Sequence, residues 1–265
     1  MKDRIISQLS PEYPWVDRFH YFPTVDSTND LLKQFARQGA PHGTVLIADH
    51  QTNGHGRMGR SFQSSSGVGI YLSILLRPQC TPGELMHLTC AAAVAMCNAV
   101  EAAAGFCPGI KWTNDLVSGK KKLGGILTEL GFGKNGMLDY AIVGIGMNCC
   151  QQKEDFAPEL QQMAASLSMV TEKDIDRSIV AAHMMDALFR MDRQLLTGKE
   201  DILHRYRKLC VTIGQDISLI RGDEIRYGKA LSVDNEGALV VRFSNGAIQS
   251  VNSGEVSIRG MYGYI

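Results

Sequence analysis

The apolar pattern of the chain changes near residue 212, and this change limits the folds open to it. Beyond that point, short apolar runs alternate with turns rich in Gly, Asn and Asp, such as 234–237 and 244–246. Runs with this spacing are typical of small antiparallel β-domains. Before it, long helical patterns occur among buried strand patterns. We therefore predict two units, 1–212 and 213–265, of which the second is a small β-barrel.

The first unit combines helices and strands, which predicts an α+β fold with a mixed β-sheet packed against helices. Thr81-Pro82-Gly83-Glu84 fits a capping box ahead of an Ala-rich helix over 85–104, and Gly105 marks the end of that helix. A second long helix is predicted over 175–196, with shorter helices near 30–39 and 201–209. Strands are predicted at Thr44–Ala48, Gly69–Leu76, Ile110–Val117, Leu123–Leu130 and Tyr140–Ile145.

Composition restricts the classes of function. Lys+Arg and Asp+Glu both number 27, so the formal net charge is zero and nothing draws the whole protein toward nucleic acid. No apolar run approaches the roughly 20 residues that span a bilayer, and the N-terminus lacks a signal-peptide core. The seven cysteines include no Cys-x-x-Cys pair. We therefore expect a cytoplasmic protein with reduced thiols and with neither DNA nor a membrane as partner.

Residues 54–60 read Gly-His-Gly-Arg-Met-Gly-Arg, a composition suited to holding an anion. Glycine adopts backbone conformations that bring the chain close to a ligand, with its N–H groups turned inward. Arg57 and Arg60 add forked donors that match carboxylate or phosphate. The alternative is a surface turn with solvated charges, and this segment alone does not decide between the two.

Three further segments accompany this loop. The first, before the loop, is Ser27-Thr28-Asn29. After the loop come Lys111-Trp112-Thr113-Asn114-Asp115-Leu116 with Lys122-Leu123-Gly124-Gly125-Ile126-Leu127, and then Gly144-Ile145-Gly146-Met147-Asn148. Together they resemble biotin protein ligases, whose pattern is Gly-Arg-Gly-Arg-x-Gly-Arg, Lys-Trp-Pro-Asn-Asp and Lys-Leu-Gly/Ala-Gly-Ile-Leu. The resemblance covers residues 22–150, with a weaker match beyond. It implies a catalytic domain like those of class II aminoacyl-tRNA synthetases, followed by an SH3-like β-barrel.

The resemblance implies a two-step reaction with biotin and ATP as substrates and Mg²⁺ as cofactor. Biotin's carboxylate attacks the α-phosphate of ATP, which gives biotinyl-5′-AMP and pyrophosphate. A lysine of a biotin carboxyl carrier domain then attacks the activated carbon and releases AMP. The sequence does not show which carboxylase supplies this domain; a homodimer is possible.

By similarity, the catalytic residues are Arg57, Lys122, Asp115 and Lys111. Lys122 is expected near the carboxylate and the α-phosphate, where an ammonium group stabilises developing charge. Lys111 is expected to reach phosphate. Asp115 is expected either to bind Mg²⁺ or to orient and deprotonate the incoming amine. Lys120 and Lys121 are interpreted as solvated charges of a turn.

Some of the implied binding residues also fit a structural role. Phe62 is placed to stack on adenine, and a plain core role fits it equally well. Trp112 fits packing beneath the site better than ligand contact, and Asn148 follows a Gly-x-Gly strand end that turns a polar group toward nucleotide. Arg259 weakly resembles a barrel residue that reaches the nucleotide. The full implied set is Ser27, Thr28, Asn29, Gln51, Gly54, His55, Gly56, Arg57, Arg60, Phe62, Trp112, Asn114, Lys122, Gly124 and Asn148.

The chain departs from the family pattern at two positions. His55 replaces an arginine and carries full charge only below about pH 6.5, and Thr113 replaces a proline. About 20 residues precede the first matching segment, too few for the helix-turn-helix domain of family members that act as repressors, so we expect a ligase without repressor activity. The rival functions are a lipoate–protein ligase, which shares the fold, and a non-enzymatic binding module.

Overall fold

The computed structural model describes residues 1–134, 136–253 and 257–260, the last four by their backbone alone. Seven strands form one mixed sheet in the order β1-β2-β3-β7-β6-β5-β4, and only β1 and β2 pair in parallel among them. These strands are β1 (Phe19–Val25), β2 (Thr44–Gln51), β3 (Gly69–Leu76), β4 (Gly109–Lys111), β5 (Asp115–Ser118), β6 (Lys121–Phe132) and β7 (Leu138–Asn148).

Helices cover the two faces of this sheet unequally. One face packs against the long helices α3 and α5, and the other packs against the single short helix α2. We call these the α3 face and the α2 face. The helices are α1 (Lys2–Ile6), α2 (Thr28–Arg37), α3 (Leu88–Ala104), α4 (Leu167–Thr171), α5 (Arg177–Gln194) and α6 (Lys199–Leu209).

The alternation of side chains along each strand explains the two cores. Ile70, Leu72 and Ile74 of β3 belong to the large core under α3 and α5, whereas the next residue along, Leu75, packs against α2. Successive strand residues point to opposite faces, so one strand supplies both cores. The fully buried β3 is consistent with helices on both sides of it.

The second unit is a five-stranded antiparallel sheet in the order β11-β10-β9-β8-β12, which confirms the predicted small β-domain. It contacts the first unit through Trp112, whose indole N–H donates to the Gly237 carbonyl oxygen at 3.0 Å. The division at 212/213 itself stays a prediction. The strands are β8 (Asp216–Arg221), β9 (Glu224–Val233), β10 (Leu239–Phe243), β11 (Ile248–Val251) and β12 (Ser257–Gly260).

Several predicted elements differ in their bounds. The strand predicted over 110–117 is the hairpin β4–β5, because Trp112–Asn114 turn the chain between the two strands. Strand β1 was not predicted, because its half-exposed pattern and Pro23 give a weak periodic signal. The capping box at Thr81 and Glu84 is confirmed, but it opens a 3₁₀ turn over Pro82–Leu85 ahead of α3.

The prediction that no apolar segment is long enough to span a bilayer is wrong for one helix. Pro82–Ala104 spans 23 residues with a mean hydropathy of 1.4 in its most apolar window, enough by length and composition to cross a membrane, contrary to our reading of the sequence. However, 72% of that window is buried inside the protein. The core helix of a water-exposed protein passes the same test, so the helix is weak evidence for membrane insertion.

Candidate functional site

Helix α2 begins at the edge of the predicted site, and its first turn is held by side chains. The Ser27 hydroxyl accepts from the Asp30 N–H and caps the helix. The Gln51 Oε1 atom accepts from both the N–H and the hydroxyl of Thr28, at 2.8 and 3.0 Å. Its Nε2 atom donates to the Ser64 hydroxyl at 3.0 Å. Gln51 thus joins the start of α2 to the segment that follows the glycine–arginine loop.

Asn29 lies buried on the α2 face with both ends of its amide bonded. Its Nδ2 donates to a Glu129 carboxylate oxygen at 2.8 Å, and its Oδ1 accepts from the Ser73 hydroxyl at 2.6 Å. Lys33 pairs with the other oxygen of Glu129 at 2.7 Å. This network fixes the orientation of Asn29 beside the sheet.

The loop 54–60 closes on itself. The Gly56 N–H donates to the Arg60 carbonyl at 2.7 Å, and the Phe62 N–H donates to the Gly54 carbonyl at 2.8 Å. A Cβ atom on Gly54 would lie 2.6 Å from the Ser64 hydroxyl, so only glycine fits there. His55 Nδ1 lies 3.8 Å from an Asp30 carboxylate oxygen, which faces it from α2.

Arg57 reaches from this loop to the hairpin between β4 and β5. Its guanidinium donates to Asn114 Oδ1 at 3.0 Å and to the Ser253 carbonyl oxygen. Burial lowers the pKa of Arg57, while the negative charge of Asp115 opposes that shift. Asn114 Nδ2 in turn donates to the Ile126 carbonyl at 2.9 Å. The loop, the hairpin and β6 therefore meet at Asn114.

Lys122 and Asp115 form an ion pair with 2.7 Å between Nζ and Oδ1. Their strands pair with a β-bulge, which brings both side chains to the α2 face. The Lys122 ammonium also lies 5.9 Å from the centroid of the Phe62 ring, within the range of a cation–π contact. With Arg57 also near Asp115, two cations surround one carboxylate, and the cluster retains a net positive charge suited to anions.

Three glycines of the sheet lie under these groups, and we call Gly125, Gly144 and Gly146 the glycine floor. A Cβ on Gly144 would lie 2.0 Å from Asn29 Oδ1, one on Gly146 would lie 2.5 Å from the Phe62 ring, and one on Gly125 would lie 3.1 Å from Lys122 Nζ. All three belong to the paired strands β6 and β7. Gly124 faces the opposite way, and its hydrogen is needed because a Cβ would meet the Gly146 carbonyl at 2.6 Å. The absent side chains let Asn29, Phe62 and Lys122 lie close against the α2 face of the sheet.

Two residues of the implied binding set are buried and bonded to other parts of the protein. Trp112 is 4% exposed and bonded to Gly237, so it packs between the two units. Asn148 is 5% exposed; its Nδ2 donates to the Ala165 carbonyl and its Oδ1 accepts from Gln151. Both ends of its amide hold the chain after β7, and the nucleotide contact expected of Asn148 stays a prediction.

Three other predicted residues lie in differing surroundings. Lys111 ends β4 in a buried position, opposite Asp115 in the hairpin register. Arg60 is exposed at the end of the loop. The side chain of Arg259 lies outside the described residues. Roles for these three stay predictions.

Asp115 is the predicted metal ligand. In the part of the chain that the structure describes, no group of three His, Cys, Asp or Glu side chains gathers to hold an ion. Asp115 pairs with Lys122 and lies near Arg57. Mg²⁺ commonly binds through one or two carboxylates together with substrate phosphates. Asp115 could supply such a carboxylate, and metal binding by Asp115 stays a prediction.

A cleft of about 350 Å³ opens beside the loop. Arg57 and Met58 line it together with Thr113, Ser253 and residues 126–128 of β6. A second cavity of about 630 Å³ lies between the start of α3 and the C-terminal sheet. Arg57 therefore stands between the glycine floor and a neighbouring space large enough for part of a ligand.

The sequence interpretation missed Ser73 and Glu129. Ser73 is fully buried and bonds to both Thr28 and Asn29. Its signal was available, because it is the one polar side chain in the otherwise apolar run GIYLSILL. Glu129 carries no such signal, since an acidic residue in a half-exposed strand is ordinary.

The fold combines a mixed sheet packed with helices and a small antiparallel sheet, and the comparisons with known proteins identify its family. Residues 21–148 match the Biotin/lipoate A/B protein ligase family, and residues 212–259 match the Biotin protein ligase C terminal domain. The chain belongs to the biotin protein ligase family.

Three relatives illustrate the similarity. The Bifunctional ligase/repressor BirA of Bacillus spizizenii is 36% identical, over 90% of this chain and 73% of that protein. The Biotin–[acetyl-CoA-carboxylase] ligase of Mycobacterium tuberculosis is 30% identical, over 87% of this chain and 85% of that protein. The structure of the Aquifex aeolicus biotin protein ligase in complex with biotin and ATP is similar with a TM-score of 0.77 at 29% identity, covering 91% of this chain and 98% of that one.

Proposed function

We propose that this chain activates biotin with ATP to biotinyl-5′-AMP and transfers the biotinyl group to a lysine of a biotin carboxyl carrier domain. The observation that carries the proposal is the cluster in which Arg57 and Lys122 surround Asp115 above the glycine floor of β6 and β7. The relatives named as ligases, and one solved with biotin and ATP, support it.

The first step brings together two anions. A carboxylate must approach a triphosphate, and fixed cations must offset their repulsion. Lys122 is a point charge that lies over Gly125 and faces Asp115 at 2.7 Å. On ligand binding its ammonium exchanges part of this contact for the α-phosphate, where negative charge grows in the transition state. Arg57 adds a forked donor from the loop.

The fused rings and chain of biotin require a flat surface with polar groups at one end. Gly125, Gly144 and Gly146 carry no Cβ, and the Phe62 ring that lies over Gly146 in the free protein would have to move for the biotin rings to reach this flat surface. Asn29 and Thr28 supply hydroxyl and amide groups at the start of α2. Because Gln51 and Ser73 hold both side chains, these groups are oriented before the ligand arrives.

The second step needs an amine nucleophile without a proton. Asp115 is the carboxylate in the cluster, and we assign to it the positioning of the incoming lysine once Lys122 has engaged the phosphate. The acyl-adenylate is a reactive mixed anhydride, so water must be excluded between the two steps. The loop 54–60, which already folds against Asn114, is placed to cover it.

Pyrophosphate release tests the proposal. Purified protein is mixed with Mg-ATP and biotin, lipoate or neither acid, and a carrier domain is then added and its mass measured. We expect release with biotin, followed by a mass gain of one biotinyl group on the carrier and none on a carrier whose acceptor lysine is replaced by arginine. Preference for lipoate would reject the biotin assignment, and no release with either acid would favour a binding module.

The cellular setting is proposed on the same basis. The seven cysteines are free thiols, which agrees with a cytoplasmic location. Some relatives are named as repressors as well as ligases, and zero net charge argues against DNA binding here. A gel-shift assay with operator fragments and biotinyl-5′-AMP should show no specific complex; a specific one would overturn this part of the proposal.

A further inference from the structure

Two cysteines face each other at the end of α3, away from the ligand cluster. Cys97 is fully buried in the helix, and Cys107 lies in the short segment between α3 and β4. Their Sγ atoms lie 3.5 and 3.9 Å from one carbonyl oxygen, that of Pro108. The chain turns back at Gly105, which is left-handed with φ of 70°, and this turn brings the two thiols together.

Cys107 has the surroundings of a reactive thiol. The Arg205 guanidinium of α6 lies 4.0 Å from its sulfur and 3.5 Å from the Glu101 carboxylate. When Cys107 loses its proton, the Cys97 S–H can turn from the Pro108 carbonyl to the new thiolate. This hydrogen bond is the main reason that the pKa of Cys107 falls to about 7, with Arg205 adding to it, while burial and Glu101 oppose the shift.

The other cysteines provide an internal comparison. Burial is the main cause of a raised pKa at Cys80, Cys90, Cys149, Cys150 and Cys210. Cys80 matters most, because it is partly exposed as Cys107 is. Cys80 and Cys107 are therefore similarly exposed to solvent, and they differ in the charged and hydrogen-bonding groups around each sulfur.

We propose that Cys97 and Cys107 form a reversible dithiol–disulfide site that reacts with hydroperoxides. The Cys107 thiolate attacks one oxygen of hydrogen peroxide, which breaks the O–O bond and leaves a sulfenic acid and hydroxide. The Cys97 sulfur then attacks the Cys107 sulfur, loses its proton and displaces water. Two thiols and one peroxide give one disulfide and two waters, so the sulfurs are oxidised as the peroxide is reduced.

The covalent bond would join two elements that already pack together. The two thiols lie within hydrogen-bonding reach of each other, and a disulfide needs Cα atoms about 4.4–6.8 Å apart with the side chains rotated to bring the sulfurs together. The link would tie the last turns of α3 to the segment that enters β4. A thiol reductant reverses the reaction, as expected of a site in a reducing compartment.

The first test compares alkylation rates on the folded, reduced protein. Limiting iodoacetamide at pH 7 is followed by peptide mass spectrometry of Cys107 and Cys80. A larger thiolate fraction is partly offset by lower nucleophilicity, so we expect Cys107 to react about fivefold faster or more. Equal rates, or a faster Cys80, would overturn the proposal.

The second test uses hydrogen peroxide. The wild-type protein should lose two hydrogens and yield one peptide pair linked through Cys97 and Cys107, which dithiothreitol releases. In C97S, dimedone should trap a sulfenic acid at Cys107; in C107S, Cys97 should stay reduced. Because C97S removes a buried thiol, the linked peptide in the wild type is the deciding result. Its absence, with oxidation spread over other cysteines, would reject the site.

Discussion

The two faces of the central sheet are made by the same strands and differ in what covers them. The α3 face is closed by two long helices and is lined by aliphatic side chains. The α2 face is covered by one helix of ten residues, and beyond it the sheet presents glycines, buried hydroxyls and an ion pair. A face with fewer apolar contacts leaves space for a ligand, so stability and function are divided between the two faces.

Each face also carries a carboxylate–cation pair, and their settings differ. On the α3 face, Arg177 bonds to Asp49 and to the Gly69 carbonyl, which ties α5 to the strand ends. On the α2 face, Lys122 bonds to Asp115, and both side chains stay partly exposed, at 29% and 17%. The first pair also holds a backbone carbonyl, whereas the second is the pair to which we assign an exchange of partner for a substrate.

The largest expected effect concerns Lys122. Lys122→Ala should lower kcat/KM for biotin-dependent pyrophosphate release about 100- to 1000-fold, because one donor to a developing anion is lost. Unfolding by urea should change little. Lys120→Ala, in the exposed turn just before it, is the matched control and should stay within about twofold of wild type. Similar losses in both variants would contradict the assignment.

The opposite face should respond in stability alone. Met184 of α5 is fully buried, and Met184→Ala should lower the free energy of unfolding by about 2–5 kcal/mol. Activity per folded molecule should be retained, as measured at low temperature after urea titration. Met137→Ala is the control, since that side chain is 64% exposed and should cost less than about 0.5 kcal/mol. Loss of activity in folded Met184→Ala would show that the faces are not independent.

Gly144→Ala tests the floor of the α2 face. The added Cβ would lie 2.0 Å from Asn29 Oδ1, whose amide is held by Ser73 and Glu129. We expect a loss of about 1–3 kcal/mol in stability and a raised KM for biotin. Gly83→Ala places its Cβ 3.9 Å from the nearest atom and should change neither quantity. An unchanged KM for biotin in Gly144→Ala would contradict the assignment of the glycine floor to biotin binding.

The loop over the α2 face should gain protection when ligands bind. We expect trypsin cleavage at Arg57 and Arg60 to slow about tenfold with biotin and ATP, since ordering the loop lowers its open population. Cleavage elsewhere in the chain is the internal reference. Equal cleavage with and without ligands would show that this loop is not a lid.

The smallest effect is expected from Asp49→Asn on the α3 face. Burial raises the pKa of Asp49, but hydrogen bonds from Arg177 and Ser66 outweigh it and the net shift is downward. A carboxylate with a lowered pKa stabilises the fold above its unfolded pKa of about 3.9, and this contribution is lost as pH falls through the folded pKa. The variant should therefore lose up to about 1 kcal/mol at pH 7 and less below pH 4. A constant difference across this range would contradict the sign.

Local patterns were sufficient for some elements and insufficient for others. β3 was predicted with its correct bounds, because an unbroken apolar run between turn residues has few alternatives. The short helix near 30–39 and the small C-terminal β-domain also followed from local patterns. The hairpin at Trp112–Asn114 did not, since its turn is fixed by contacts to Thr212 and Gly237, distant in sequence.

The site shows the same division. The motifs identified Lys122, Asp115, Arg57 and Asn114, which the structure brings together. They did not show that Asn148 bonds to Ala165 and Gln151, because a polar residue after a strand looks alike whether it meets a ligand or a neighbouring loop. Ser73 stands out as a hydroxyl in an apolar run, but its partners on α2 come from tertiary packing and have no local signal.

A crystal structure with biotin and a non-hydrolysable ATP analogue tests the central claim most directly. The account predicts that the biotin rings lie on Gly125, Gly144 and Gly146 on the α2 face, with the carboxylate and α-phosphate between Lys122 and Arg57. Biotin bound instead in the 630 Å³ cavity at the start of α3, with the glycine floor covered by Phe62 as in the free protein, would contradict it.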